Sequence, residues 1–215
     1  MSKDMLGEAL RNVCGPLMDF NQKLAGPDGI QWLEAFKRFL RKENPWAVCS
    51  FPTWKTIKLG TGLKTADDFR RAFKADGLRI SDWANDLLNK QAFKPADKET
   101  EVDLVVVSVA ELGFPQGATR QEIYNRAQKL GLDLCPPEVG PQLRLQYKER
   151  PMREGLLVGM EPITDSDGFP YVFRVVRVGD DLWLSRDYGY AGRFWGGNGR
   201  WVFLRRKSDT WSFGT

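Results

Sequence analysis

The sequence predicts an α+β fold: a helical N-terminal half, then an antiparallel β-rich C-terminal part with short packing helices. Three observations point there. Apolar residues recur at helical spacing through the first 93 positions. From Leu156 onward the period shortens to two, as in YVFRVVRV (171–178). The turn clusters DSDG, GDD and GGNG punctuate that second region at strand-length intervals. The expected organisation is a flexible or helical segment over 1–28, a helical subdomain over 29–93 and an α+β subdomain over 102–215. The sheet, a meander or small open barrel, would occupy 154–207. The polar run KPADKETE (94–101) is the expected boundary.

In chain order, IQWLEAFKRFLRK (30–42) reads as an amphipathic helix, with Trp32, Leu33, Phe36, Phe39 and Leu40 on one stripe and Asn44-Pro45 as the stop. FPTWKTIKLGTG (51–62) is a short strand or an ordered connection, and its GTG lacks the spacing of a phosphate loop. Thr65 and Asp68 form a capping box ahead of Phe69 and Phe73, and Gly77 suits the helix end. Ser81 caps a third helix with Trp83, Ala84, Leu87 and Leu88 expected inward. This helix pair has the outline of half a helix-turn-helix unit, but a polar linker follows where a reading helix should stand. VDLVVVSVAEL (102–112) is β-branched enough for a strand, yet its AELG ending favours a buried helix. Thr119 and Glu122 form a second capping box, and Pro136-Pro137-Glu138 opens a further short helix. The strands then follow: 156–160, 171–178, 182–185 and 201–206.

Chemistry is restricted by one absence. No histidine occurs among the 215 residues, which removes Ser-His-Asp and Cys-His hydrolases, HExxH proteases and Cys₂His₂ fingers. Cys14, Cys49 and Cys135 form no CxxC pair, so they read as reduced, buried apolar groups of a cytoplasmic protein. No run of 18 apolar residues is present to span a membrane, and the first residues lack a signal-type apolar segment. Asp165, Asp167 and Gly168 echo a calcium loop, but position twelve is Val176, and a polar hairpin turn accounts for them better. No catalytic set, metal site or cofactor is expected.

Net charge is +4, and residues 37–79 carry 11 cations against 4 acids. That segment is either a solvated basic face or a surface for a polyanion; its candidate contacts are Arg38, Lys42, Lys55, Lys58, Arg70 and Arg71. Four of the eight tryptophans fall in the last quarter of the chain, where a thin sheet would use large rings as core. The loop AGRFWGGNGR (191–200) does not fit that account. Its Arg193, Phe194, Trp195 and Arg200, set among glycines, are the second group of candidate binding residues.

The stretch from Phe51 to Trp83, with EVGPQLRLQY (138–147) and MEPITDSDG (160–168), resembles a family of uncharacterised bacterial proteins, over most of the chain from about Gly29. The resemblance implies a bacterial origin and brings no activity, cofactor, partner or functional residue. The expectation is therefore a non-enzymatic accessory or interaction protein. Nucleic acid is the more specific partner and a protein partner the other; the oligomeric state is open. The alternatives are a carboxylate-dependent hydrolase of glycan type, centred on Glu161 and Trp195, and a structural or assembly subunit.

Overall fold

A computed structural model describes residues 15–41, 51–148 and 155–206, and the chain divides into two compact units, 1–48 and 49–215. In the first unit, helix α1 (15–25) is followed by α2 (Gly29–Leu40). A tight turn joins them, with the Gly29 N–H donating to the Gly26 carbonyl at 3.0 Å. Phe20 and Phe36 meet at 4.7 Å between ring centroids, and the Lys23 ammonium lies over the Trp32 ring. The expected stripe is thus only partly used: Leu33, Phe39 and Leu40 are exposed. Lys42 lies outside the described residues, as do Cys14 and Cys49.

The second unit runs β1 (Lys55–Leu59), α3 (Ala66–Ala75), β2 (Arg79–Ile80), α4 (Asp82–Leu88), β3 (Thr100–Ser108), β4 (Ala118–Thr119), α5 (Arg120–Lys129), β5 (Leu132–Asp133), α6 (Val139–Gln146), β6 (Gly155–Val158), β7 (Ile163–Thr164), β8 (Pro170–Val178), β9 (Asp181–Tyr188), β10 (Phe194–Trp195) and β11 (Arg200–Arg205). One mostly antiparallel sheet takes the order β1-β3-β11-β6-β8-β9-β2, with β5 on β11 and β7 on β8; β10 and β4 form a separate two-stranded ribbon. The pairs β11·β6 and β2·β9 are parallel. The protein is therefore mixed α and β, as expected, but the half before residue 108 is not purely helical. β1, β2 and β3 all join the sheet, and β11 lies between β3 and β6, so the sheet is not a C-terminal meander.

β3 corrects the helix expected over 102–112. Its Leu104, Val105 and Val107 are all buried, as suits a strand between β1 and β11. A strand covered on both faces is continuously apolar, and periodicity alone cannot tell it from a buried helix. Branching at Val105, Val106 and Val107 decides for the strand. Both capping boxes form: the Thr65 hydroxyl accepts from the Asp68 N–H, and the Thr119 hydroxyl from the Glu122 N–H. Ser81 caps α4, and Ala84, Leu87 and Leu88 are buried. Trp83, expected inward, is 63 % exposed. In so short a helix those three residues fill the inward face, and Trp83 falls beside it.

Residues 94–101, read as a linker, lie inside the second unit and are tied to it. The buried Glu138 carboxylate accepts from the Ala96 N–H at 2.7 Å, the Gly60 N–H at 2.9 Å and the Gln142 side-chain amide at 3.0 Å. Trp201, Phe203 and Phe173 are fully buried at the centre of the sheet, each worth about 2–3 kcal/mol of apolar burial. Cys135 is buried as expected; its thiol donates to the Val202 carbonyl, and burial pushes its pKa up. No helix among the described residues is long and apolar enough to cross a membrane.

Candidate binding site

The β10·β4 ribbon exists because two glycines let it lie close. Gly117 has φ +105°, and a Cβ there would stand 2.5 Å from the Trp195 carbonyl and 2.6 Å from the Phe194 ring. A Cβ on Gly197 would stand 2.3 Å from the Pro115 carbonyl. Phe194 pairs with Thr119 and Trp195 with Ala118. The register continues one step further: the Arg120 N–H donates to the Arg193 carbonyl at 2.9 Å, placing these two arginines opposite each other.

Five side chains follow one another through ring contacts from this ribbon into the sheet. The Arg193 guanidinium lies 5.4 Å from the Trp195 ring, Trp195 meets Trp201 edge-on at 5.4 Å, and Trp201 meets Tyr124 edge-on at 5.5 Å. The Arg120 guanidinium closes the series, 4.7 Å from the Tyr124 ring. Burial raises the Tyr124 phenol above its ordinary value, although Arg120 and the Met160 backbone act to lower it. Its hydroxyl donates to the Met160 carbonyl at 2.9 Å. On the outer side Arg193 also faces Tyr188, which stacks on Tyr190 at 6.0 Å. Tyr188, Tyr190 and Phe194 are 47 %, 40 % and 59 % exposed, so the surface presents three accessible rings and a guanidinium.

Tyr188 also borders a cleft of about 460 Å³ lined by Trp83, Asp165, Phe169, Tyr171 and Arg186, among others. Here Arg186 is held between the Trp83 ring, 4.5 Å away, and the Tyr171 ring, 3.2 Å away, and pairs with Asp165 at 3.1 Å. Both partners are at least 90 % shielded from solvent at the side chain. Burial alone pushes the Asp165 carboxyl up, but bonds from the Phe169 N–H, Arg186 and the Asp167 N–H outweigh it and hold the pKa below its ordinary value. The Asp165–Phe169 turn is the polar hairpin expected from DSDG. No group of three or more Cys, Asp or Glu side chains suited to a metal occurs among the described residues.

The basic segment is more neutral than its composition. Lys58 pairs with Glu99 at 2.8 Å, Arg70 with Asp67, and Arg71 with Asp68. Arg70 also donates to Asn85 and Asn89 of the α4 segment, which makes it a tie between α3 and α4. Lys55 lies over the Tyr147 ring at 5.5 Å. Like Glu99, three further acids come from outside residues 37–79: Glu34, Asp97 and Asp181 pair with Lys37, Lys64 and Arg79. Arg38 lies on α2, in the other unit. The structure thus brings Arg193, Phe194 and Trp195 together and does not gather Lys55, Lys58, Arg70 and Arg71 into an unpaired cationic face. Arg200, exposed on β11, acts on Glu111, whose carboxyl is held low first by the Ser108 N–H and hydroxyl and then by Arg200.

Sequence reasoning missed Arg120, Tyr188, Tyr190 and Arg186 as site residues. One signal was present: Arg120 directly follows the N-cap Thr119, where the helix dipole disfavours a cation. Comparison with family models, curated proteins and solved structures finds no match to this chain, so the site is read from its own geometry.

Proposed function

We propose that this is a non-enzymatic accessory protein that binds single-stranded nucleic acid on the surface formed by Tyr188, Tyr190, Arg193 and Phe194. One observation carries the reading: the exposed Arg193 guanidinium, with no carboxylate partner among the described residues, lies beside the exposed Tyr188 ring. That ring stacks on the exposed Tyr190, and the exposed Phe194 follows Arg193 in the chain. Unpaired bases stack on exposed rings with little regard to sequence, and arginine adds a contact to the backbone. The helical basic segment takes a lesser part, because its cations are largely matched by acids.

The hydrolase reading gains no support from the cleft. A glycosidase acid needs a raised pKa, and Asp165 is held low and engaged by Arg186. Glu161 is exposed and is not part of the cleft lining.

Fluorescence anisotropy with labelled single-stranded and duplex oligonucleotides over a salt series tests the proposal. Binding should favour the unpaired strand and weaken as salt rises. Phe194→Ala and Tyr188→Ala should each weaken it roughly fivefold or more, since one base–ring stack is worth about 1–3 kcal/mol. No measurable affinity at low salt would overturn the reading.

A further inference from the structure

Arg120 is only 8 % exposed, its Nε is buried without a hydrogen-bond partner, and no carboxylate among the described residues pairs with it. A buried guanidinium without a counter-charge is strongly disfavoured. Three features of its surroundings add to the imbalance. It sits in the first turn of α5, at the positive end of the helix dipole. Arg193 stands opposite it across the ribbon, and like charges in that relation repel. The one carboxylate in the same turn, Glu122, is directed to the Thr119 N–H at 2.8 Å and hydroxyl at 2.6 Å.

Two more donors in the same series of rings lack acceptors: the buried indole nitrogens of Trp195 and Trp201. Two guanidinium groups and two indole N–H groups thus lie along one run of ring contacts, a neighbourhood in which no carboxylate among the described residues pairs with either arginine. We propose that this neighbourhood is an oxyanion site, in which Arg120 and Arg193, with the Trp195 and Trp201 N–H groups, hold a phosphate-type group. Phosphate fits this donor set because arginine offers paired N–H groups to two oxygens at once, and indole N–H groups donate without competing as acceptors. The inference shares Arg193 with the proposed surface but rests on the buried Arg120 and not on the exposed rings, so Arg120→Met tests it separately from base stacking.

Isothermal titration of the full chain with inorganic phosphate, at ionic strength fixed with potassium chloride, tests it. Saturable one-to-one binding is expected, with a change in tryptophan fluorescence. Arg120→Met should weaken it roughly tenfold or more, as loss of a charge-assisted bond implies. Arg193→Met, at an exposed position, should weaken it in the same direction. Trp195→Phe keeps a ring and removes the N–H, and should also reduce affinity. Isotherms identical in the wild type and both arginine variants would mean an adventitious ion only and would overturn the proposal. An abasic strand separates the two readings. If it binds and loses affinity in Arg120→Met, the oxyanion site holds without stacking. If a base-bearing strand binds equally well to wild type and Arg120→Met, the site is refuted while stacking survives.

Discussion

Arg186 and Arg120 are both buried guanidinium groups resting on a tyrosine ring, yet their surroundings differ in one respect. Arg186 has Tyr171 beneath it, Trp83 over it and Asp165 at 3.1 Å. Arg120 has Tyr124 beneath it and no carboxylate partner among the described residues. The first arrangement is complete within the chain: its charge is matched and its rings line the cleft. The second leaves a positive charge and two indole donors for something else to satisfy. A buried arginine is thus not by itself a functional sign; its missing partner is.

That contrast can be broken by experiment, and the largest effect should come from the complete site. Arg186→Met removes the cation from between Trp83 and Tyr171 and leaves Asp165 with backbone donors alone. Urea denaturation should show a loss of about 3 kcal/mol. Gly117→Ala follows, with a loss on the order of 2 kcal/mol, because the left-handed backbone and the Phe194 ring leave no room for a methyl group. Weakened phosphate and oligonucleotide binding in that variant would locate both on the ribbon.

Acid sharpens the comparison from the other side. Asp165 has its carboxyl held below the ordinary value in the folded state. Its contribution is therefore fully present above the unfolded-state value near 4 and is lost as pH falls through the folded-state value. Asp68 and Glu122, held low first by the hydroxyls of Thr65 and Thr119, act in the same sense. Denaturation midpoints should fall on acidification below about pH 4, and Asp165→Asn should flatten that fall. Phe194→Ala should give the smallest change in stability, within about 0.5 kcal/mol for an exposed side chain, while lowering oligonucleotide affinity. A large stability loss there would mean that the ring belongs to the core.

Much of the fold follows from local chemistry in the sequence. The boxes at Thr65/Asp68 and Thr119/Glu122 and the alternation in 171–178 needed only neighbouring residues, and α3, α5 and β8 form where they indicate. What was not legible depends on distant partners. β3 looked helical because the strands that flank it in the sheet, β1 and β11, lie 40 or more residues away on one side and about 100 on the other. The basic segment looked unpaired because Lys58 and Arg79 meet Glu99 and Asp181 only in the folded chain. Phe194 and Arg193 stood out because glycines isolated them from any strand pattern. Arg120 did not, since residues 99–150 hold more acids than bases, and only the structure shows that no described acid among them pairs with it.

The same substitution at Arg186 and Arg120 tests the account most directly. In chloride buffer without phosphate, Arg186→Met should lower the urea midpoint markedly, while Arg120→Met should leave it unchanged or raise it, because an unmatched buried charge has been removed. An Arg120→Met protein destabilised as far as Arg186→Met would show that the chain already satisfies Arg120, and the anion site would have no basis.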